Sequence, residues 1–125
     1  MNGQQFIDAL HQLEDNNETG PIVGLCAEDA EITNPHVNKQ HARPQGPQRF
    51  WEQYRSTFDT VHSNFLNVIE ADSSTVLEWE SEGTLKPGNQ PVNYRGVSII
   101  QWNASDQITR FAAYFDTDDL HVDHT

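Results

Sequence analysis

The chain has 125 residues, with seven Lys and Arg against nineteen Asp and Glu, and a formal net charge of −12. A field of that sign repels phosphate backbones and anionic lipid headgroups, so nucleic acid and membranes are not expected as partners. We expect one domain over residues 1–125 with one core. Cys26 is the only cysteine, which excludes an internal disulfide and a cysteine-based metal cluster. With no signal peptide or membrane span predicted, the cytoplasm is the expected location.

The first part of the chain is predicted to form three helices. Residues 2–16 carry apolar side chains at helical spacing, and a short second helix is predicted to begin at Pro21. The apolar positions of the first helix are Phe6, Leu10 and Leu13. After a predicted short strand in "AEDAEITNP" and a polar loop over residues 36–46, a third helix begins at Gly46-Pro47. Its aromatic stripe, which includes Phe50, Trp51 and Tyr54, is explained by core packing alone.

The second half of the chain is predicted to form four long strands. The segments are "VHSNFLNVIEA", "TVLEWESEGTL", "VNYRGVSIIQW" and "ITRFAAYFD", and turn-forming residues separate them. Helices followed by strands predict an α+β domain, in which a curved antiparallel sheet packs over three N-terminal helices.

Alternation along two strands predicts which side chains share a face. Glu78, Glu80 and Glu82 fall on one face of their strand, and Leu77, Trp79 and Ser81 fall on the other. In the last strand one face carries Arg110, Ala112, Tyr114 and Asp116, and the other carries Phe111, Ala113 and Phe115. Because both faces of this last strand are largely apolar, one is expected to line a pocket and the other to meet a second subunit. A homodimer packed through the sheet is therefore expected.

These segments, in this order, resemble the SnoaL-like and ketosteroid-isomerase-like branch of the nuclear transport factor 2 superfamily. The resemblance runs from about Phe6 to Leu120. It implies a cone-shaped domain, a cystatin-like α+β roll, whose helices and curved sheet enclose one deep pocket. Because this superfamily hosts isomerases, cyclases, hydrolases and proteins without catalysis, the resemblance specifies the fold far better than the reaction.

The resemblance also implies positions for catalytic groups. Where ketosteroid isomerases carry a carboxylate base, a tyrosine and a protonated Asp, this sequence has Asn34, Ala9 and Ser98. An amide cannot take a proton from carbon, and alanine cannot donate a hydrogen bond, so steroid isomerisation is disfavoured.

The hydrolase and cyclase relatives imply a different set of residues. A carboxylate at the end of the last strand is matched by Asp116, and an Asn after the first strand by Asn34. Glu82 stands at the place of a further acid, whereas Glu80 replaces an arginine. Asp116 is therefore the expected general base, with Asn34 and Tyr114 orienting water or substrate, and Glu80 or Glu82 as a second acid.

The expected ligand is a small hydrophobic or polycyclic molecule in an aromatic pocket. The residues expected to contact it are Trp51, Tyr54, Trp79, Ser98 and Tyr114, with His36 at the mouth. No cofactor is expected, and no metal site is predicted from the six histidines. Two alternatives stay open: a ligand-binding member without catalysis, and an interaction module that uses its sheet to hold a partner protein.

Overall fold

Three helices and five strands occupy the part of the chain that the computed structural model describes, residues 2–35 and 46–116. The helices are α1 (Asn2–Asn16), α2 (Gly20–Gly24) and α3 (Pro47–Ser56). The strands are β1 (Cys26–Thr33), β2 (Phe58–Glu70), β3 (Ser74–Leu85), β4 (Gln90–Trp102) and β5 (Ile108–Phe115). The predicted α+β class is confirmed. None of the described helices is both long and apolar enough to cross a lipid bilayer.

The five strands form one curved sheet in the order β1-β5-β4-β3-β2. Strands β2 to β5 pair antiparallel with their neighbours in the chain, whereas β1 pairs parallel with β5, placing Thr33 opposite Ala112. The sheet is therefore mixed, and the expectation of a purely antiparallel sheet is wrong in this one pair. Alternation within a strand reports its faces but not the direction of a distant partner strand.

Helices α1 and α3 cover the face of the sheet that we call the inner face. The predicted apolar stripe of α1 is buried, with Phe6, Leu10 and Leu13 each less than 10% exposed. Phe50 and Trp51 of α3 are equally buried, and Phe6, Trp51 and Phe111 of β5 are in mutual ring contact. Fully burying side chains of this size contributes about 1.5–3 kcal/mol each, so this cluster fixes the helices on the sheet.

Candidate functional site

A small cavity lies between helices α1 and α3 and the inner face of the sheet. Most of its described lining residues are aromatic, and six of these are Trp51, Tyr54, Trp79, Tyr94, Phe111 and Phe115. Its volume is about 40 Å³. A water molecule needs roughly 10–15 Å³, so the cavity has room for a few waters or for one compact group of a ligand whose remainder lies outside it.

This volume distinguishes between the two ligand sizes expected from the sequence. Sites for drug-sized ligands measure about 300–1,000 Å³, far above the 40 Å³ of this cavity. The small hydrophobic compound is therefore favoured, and a polycyclic compound does not fit the cavity as it stands.

A buried carboxylate, Glu14, lies behind one wall of this cavity. Its side chain, on the last turns of α1, belongs to a residue only 2% exposed. It accepts hydrogen bonds from the Ser63 backbone N–H at 2.7 Å, from the Ser63 hydroxyl at 2.6 Å and from the Tyr54 hydroxyl at 2.5 Å. Three donors stabilise the charged form of a buried carboxylate and offset the loss of its hydration.

The hydroxyl groups around Glu14 form a directed chain. A serine or tyrosine hydroxyl carries one proton, and Ser63 donates its proton to Glu14. Ser81, whose Oγ lies 2.5 Å from that of Ser63, must therefore donate to Ser63. The hydroxyl protons of Tyr54, Ser63 and Ser81 all point toward Glu14, so the remaining lone pairs of Tyr54 are left as acceptors.

The two buried tyrosines near Glu14, Tyr54 and Tyr94, are held in the neutral form. Burial raises the pKa of Tyr54 and of Tyr94 well above the usual value, and the charge of Glu14 raises both further. At neutral pH both hydroxyls therefore keep their protons and act as hydrogen-bonding groups rather than as bases.

A second polar group lies on another part of the cavity wall. The Trp79 indole N–H donates to the Ser98 hydroxyl at 2.9 Å, which leaves the Ser98 proton for a further acceptor. Asn34, directly after β1, is 6% exposed and also lines the cavity. A ligand in this cavity thus meets aromatic rings, hydroxyl lone pairs and one amide.

Outside Glu14 an open groove of about 780 Å³ runs along the ends of β2, β3 and β4. Asp15, Arg55, His62 and Glu82 line it together with Glu14. The Arg55 guanidinium donates to the backbone carbonyls of Phe58 and Asp59, at 2.9 and 3.3 Å. Glu14 therefore separates a solvent-open groove from the enclosed aromatic cavity.

Around Glu14 lies the one group of described residues whose side chains are close enough to hold a metal ion. The ligand atoms of His11, Glu14 and His62 lie within 4.8 Å of one another. The two imidazole rings stack, however, with centroids 4.8 Å apart and planes 12° from parallel. An imidazole lone pair lies in the plane of its ring, so the two lone pairs do not converge on a common ion in this arrangement.

Cys26 is not a candidate nucleophile in this structure. Burial raises the pKa of its thiol to about 11, although the nearby Trp51 indole lowers it in part. The thiol donates to the Ile22 carbonyl at 3.4 Å. Because the thiolate is the reactive form, Cys26 acts as a small core residue.

Five of the residues predicted to form the site line the cavity together: Asn34, Trp51, Tyr54, Trp79 and Ser98. They come from the end of β1 and from α3, β3 and β4, and folding brings them together. The predicted alternation in β3 is also correct, since Trp79 and Ser81 are buried on the inner face.

The predicted second acids lie on the other face of β3. Glu80 faces Arg95, with 3.8 Å between its Oε2 and the Arg95 Nε, and Glu82 is exposed at the groove. Neither lines the cavity. Their orientation follows from the same alternation that turns Trp79 inward.

Tyr114 was expected in the cavity and lies on the outer face instead. Its side chain is 53% exposed, whereas Phe111, Ala113 and Phe115 line the cavity. The two faces of β5 are therefore the reverse of the expected assignment. Both faces carry apolar residues, so hydrophobicity alone did not indicate which face meets the helices.

Asp116 directly follows Phe115 at the end of β5 and is exposed. Thr33 pairs with Ala112, so Asp116 lies four residues beyond that pair, roughly 13 Å along the strand. Asn34 directly follows β1, one residue beyond the same pair. His36 lies outside the described residues.

Glu14 was missed in the sequence, although a signal for it was present. It follows Leu10 by four positions and Leu13 by one, which places it on the buried face of the predicted helix. A charged residue on an apolar helix face indicates a buried partner network, and here the partners are Tyr54 and Ser63.

The sequence matches a known protein family over most of its length. The family model described as the SnoaL-like domain matches residues 4–111, which is most of the chain. The chain belongs to the SnoaL-like family. No curated protein matches the SnoaL-like chain in a sequence comparison.

Solved structures with the same fold are distant in sequence. A nuclear transport factor 2-like protein from Anabaena variabilis superposes with a TM-score of 0.79 at 18% identity, over 94% of this chain and 89% of that protein. A ketosteroid isomerase-like protein from Catenulispora acidiphila, in complex with trimethylamine, gives 0.73 at 13% identity, over 90% and 85%. The epoxide hydrolase/cyclase-like enzyme SalBIII, studied for pyran ring formation in salinomycin, gives 0.74 at 12% identity, over 94% and 92%. At these identities the similarity shows the shared fold alone.

Proposed function

We propose that this SnoaL-like domain binds a small, largely apolar molecule in its aromatic cavity. The observation that carries the proposal is the combination of aromatic walls with a few convergent polar groups, Asn34, Ser98 and the hydroxyl chain of Glu14, in one enclosed space. The Catenulispora acidiphila protein holds trimethylamine, a molecule of comparably small size. Titration with a small ligand tests binding, because it should shift the indole signals of Trp51 and Trp79, which line the cavity.

We further propose that bound ligand undergoes acid–base chemistry of the isomerase, cyclase or hydrolase type, with Asp116 as the general base. Its position after Phe115, whose ring lines the cavity, favours a role at the rim rather than at the floor. The base would take a proton from a carbon next to a carbonyl group. The C–H electron pair then forms an enolate, the proton held by Asp116 exchanges with solvent, and Asp116 returns a solvent-derived proton to the carbon.

Proton exchange into a series of methyl ketones, from acetone to 2-heptanone, tests this step. In D₂O the protein should accelerate deuterium incorporation beside the carbonyl, measured by proton NMR, most strongly for ketones long enough to reach the rim. Asp116→Asn should reduce the protein-dependent rate by about 10²-fold or more, the usual contribution of a general base. Glu80→Gln, which removes an equal charge from the outer face, should leave the rate unchanged. Equal rates for the wild type and Asp116→Asn would remove Asp116 from the mechanism.

A binding protein without catalysis is the second candidate, and one observation favours it. Among the described residues that line the cavity there is no carboxylate, because Glu80 and Glu82 face away and Asp116 is exposed. If no ketone exchanges faster with the wild-type protein than without it, while a ligand shifts the cavity signals, this second function is the correct one.

The assembly and location are also proposals. We propose a homodimer formed through the outer face of the sheet, where Val97 and Tyr114 are neighbours on β4 and β5 and are 38% and 53% exposed. We propose a cytoplasmic location for this dimer.

A further inference from the structure

We propose that the aromatic cavity selects a small alkylammonium cation over a neutral molecule of the same shape. The inference rests on the proposed function in one respect: the cavity must admit a small molecule. It adds the charge of that molecule, which the aromatic lining by itself does not specify.

The first observation is the composition of the cavity wall. Trp79, Tyr94 and Phe115 enclose one side, and their rings meet edge to face, with centroids 5.1 to 5.9 Å apart. Trp51 and Tyr54 contribute two further rings from α3. The face of an aromatic ring carries negative electrostatic potential, and a group of such faces attracts quaternary and tertiary ammonium ions.

The second observation is the direction of the hydroxyl chain. The hydroxyl protons of Tyr54 and Ser63 point to Glu14. The Tyr54 and Ser63 oxygens on this part of the cavity wall therefore present lone pairs, which add to the negative potential of the rings. A cation fits such a surface better than a hydrogen-bond acceptor does.

The third observation is the charge of Glu14 itself. In residues 2–35 and 46–116 the ion pairs join His62 to Asp15 and Arg95 to Glu80, and none involves Glu14. Arg55 directs its guanidinium to backbone carbonyls. His11 and His62 face Glu14 from the groove, and Tyr54 and Ser63 face it from the cavity. A cation in the cavity would therefore lie near a buried negative charge that has no Lys or Arg ion-pair partner among these residues.

The volume limits the size of this cation. The 40 Å³ cavity accepts a compact group of a few non-hydrogen atoms, such as a methylated ammonium, and is too small for a long or polycyclic amine. The ligand class is therefore a free small alkylammonium ion, or the head of a larger molecule whose remainder stays outside the cavity.

Tetramethylammonium and tert-butanol provide the test, because they have the same shape and differ in charge. Each is titrated into the wild-type protein at constant chloride concentration, and binding is followed by saturation transfer from the protein to the ligand methyl groups. We expect tetramethylammonium to bind about tenfold or more tightly than tert-butanol, which is within the range of a desolvated cation–π site. Its methyl signals should also move upfield through ring currents. Equal affinity for the two ligands would overturn the inference and leave small-molecule binding intact.

Variants of matched charge locate the effect. Glu14→Gln should reduce the preference for the cation severalfold, whereas Glu82→Gln, which removes the same charge from the exposed groove, should leave it unchanged. Phe115→Leu keeps an apolar side chain at a half-buried position, and it should weaken the binding of tetramethylammonium but not that of tert-butanol. This variant provides the test if Glu14→Gln does not fold. A preference lost with Glu82→Gln instead would place the cation on the surface and contradict the proposal. Binding of neither ligand would also contradict it, and the proposed function is then decided separately by the ketone exchange.

Discussion

Glu14 is the residue on which the electrostatics of this domain depend. A charged side chain that is 2% exposed is rare, and here it is stabilised by three hydrogen bonds from Ser63 and Tyr54. Because these donors hold their protons toward Glu14, one carboxylate sets the direction of hydroxyls as far away as Ser81. A change at Glu14 should therefore be measurable at the tyrosines.

Glu14→Gln should lower the pKa of both Tyr54 and Tyr94, because the negative charge of Glu14 disfavours a nearby phenolate. Burial would still hold both pKa values above the usual one. Spectrophotometric titration of the phenolate absorbance measures the change, and Glu82→Gln is the control that removes a surface charge. Unchanged titration in Glu14→Gln would contradict the described network.

The raised pKa values of Tyr54 and Tyr94 in the wild type also predict how its stability depends on pH. A tyrosine whose pKa is raised in the folded state stabilises that state below the unfolded pKa of about 10, and this contribution is lost as pH rises toward the folded value. The wild-type free energy of unfolding should therefore fall above about pH 10. This fall should be smaller in Glu14→Gln, as measured by urea unfolding at a series of alkaline pH values.

Sequence predicted individual residues well where alternation or helical spacing was strict. Trp79 is on the inner face for this reason, as are the three α1 residues of the apolar stripe. It failed at Tyr114, because both faces of β5 are apolar, and it overlooked Glu14, whose partners lie on other elements. The missed information is tertiary, since it depends on which strand and which helix come to face each other.

At the scale of elements, β2 and β3 approach each other unusually closely at Gly83. A Cβ added there would lie 2.0 Å from the Thr60 carbonyl oxygen, which is a backbone atom and cannot move without shifting the strand. The two strands bring together Ser63 and Ser81, which continue the hydroxyl chain from Glu14. Correct pairing of β2 and β3 is therefore needed both for the fold and for the polar wall of the cavity.

Gly83→Ala should destabilise the domain by about 1–3 kcal/mol or more, the usual effect of forcing extra volume into a packed region. Gly24→Ala is the matched control, because nothing lies within 4 Å of a Cβ at that position and its stability should change by less than about 1 kcal/mol. Thermal and urea unfolding measure both variants. Equal stability of the two variants would contradict the close approach at Gly83.

The elements themselves were largely predictable. Helix α1 spans Asn2–Asn16 as expected, α3 begins at Pro47, and the four long strands coincide with the predicted segments to within a few residues. Local spacing and Gly-Pro signals carry this information. The parallel pairing of β1 with β5 joins strands about eighty residues apart, and nothing in either strand encodes it.

At the scale of the whole molecule, the outer face of the sheet is the surface most suited to a second copy. Val97→Arg should convert a dimer of 14.2 kDa subunits into a monomer, because it places a charge in the centre of the proposed interface. Gln5→Arg is the control, since Gln5 is exposed on helix α1, which covers the opposite face of the sheet. Light scattering during gel filtration gives both masses. A monomeric wild type would contradict the dimer and favour an interaction module.

The central claim, that the aromatic cavity is the functional site, is tested most directly by the three tryptophan indole signals of ¹⁵N-labelled protein. Trp51 and Trp79 line the cavity, whereas the indole of Trp102 donates to Thr75 outside it and serves as an internal control. On titration with tetramethylammonium or a short methyl ketone, we expect the Trp51 and Trp79 signals to shift together and saturate while the Trp102 signal stays in place. Signals of Trp51 and Trp79 that do not move with either ligand, or that move no more than that of Trp102, would contradict it.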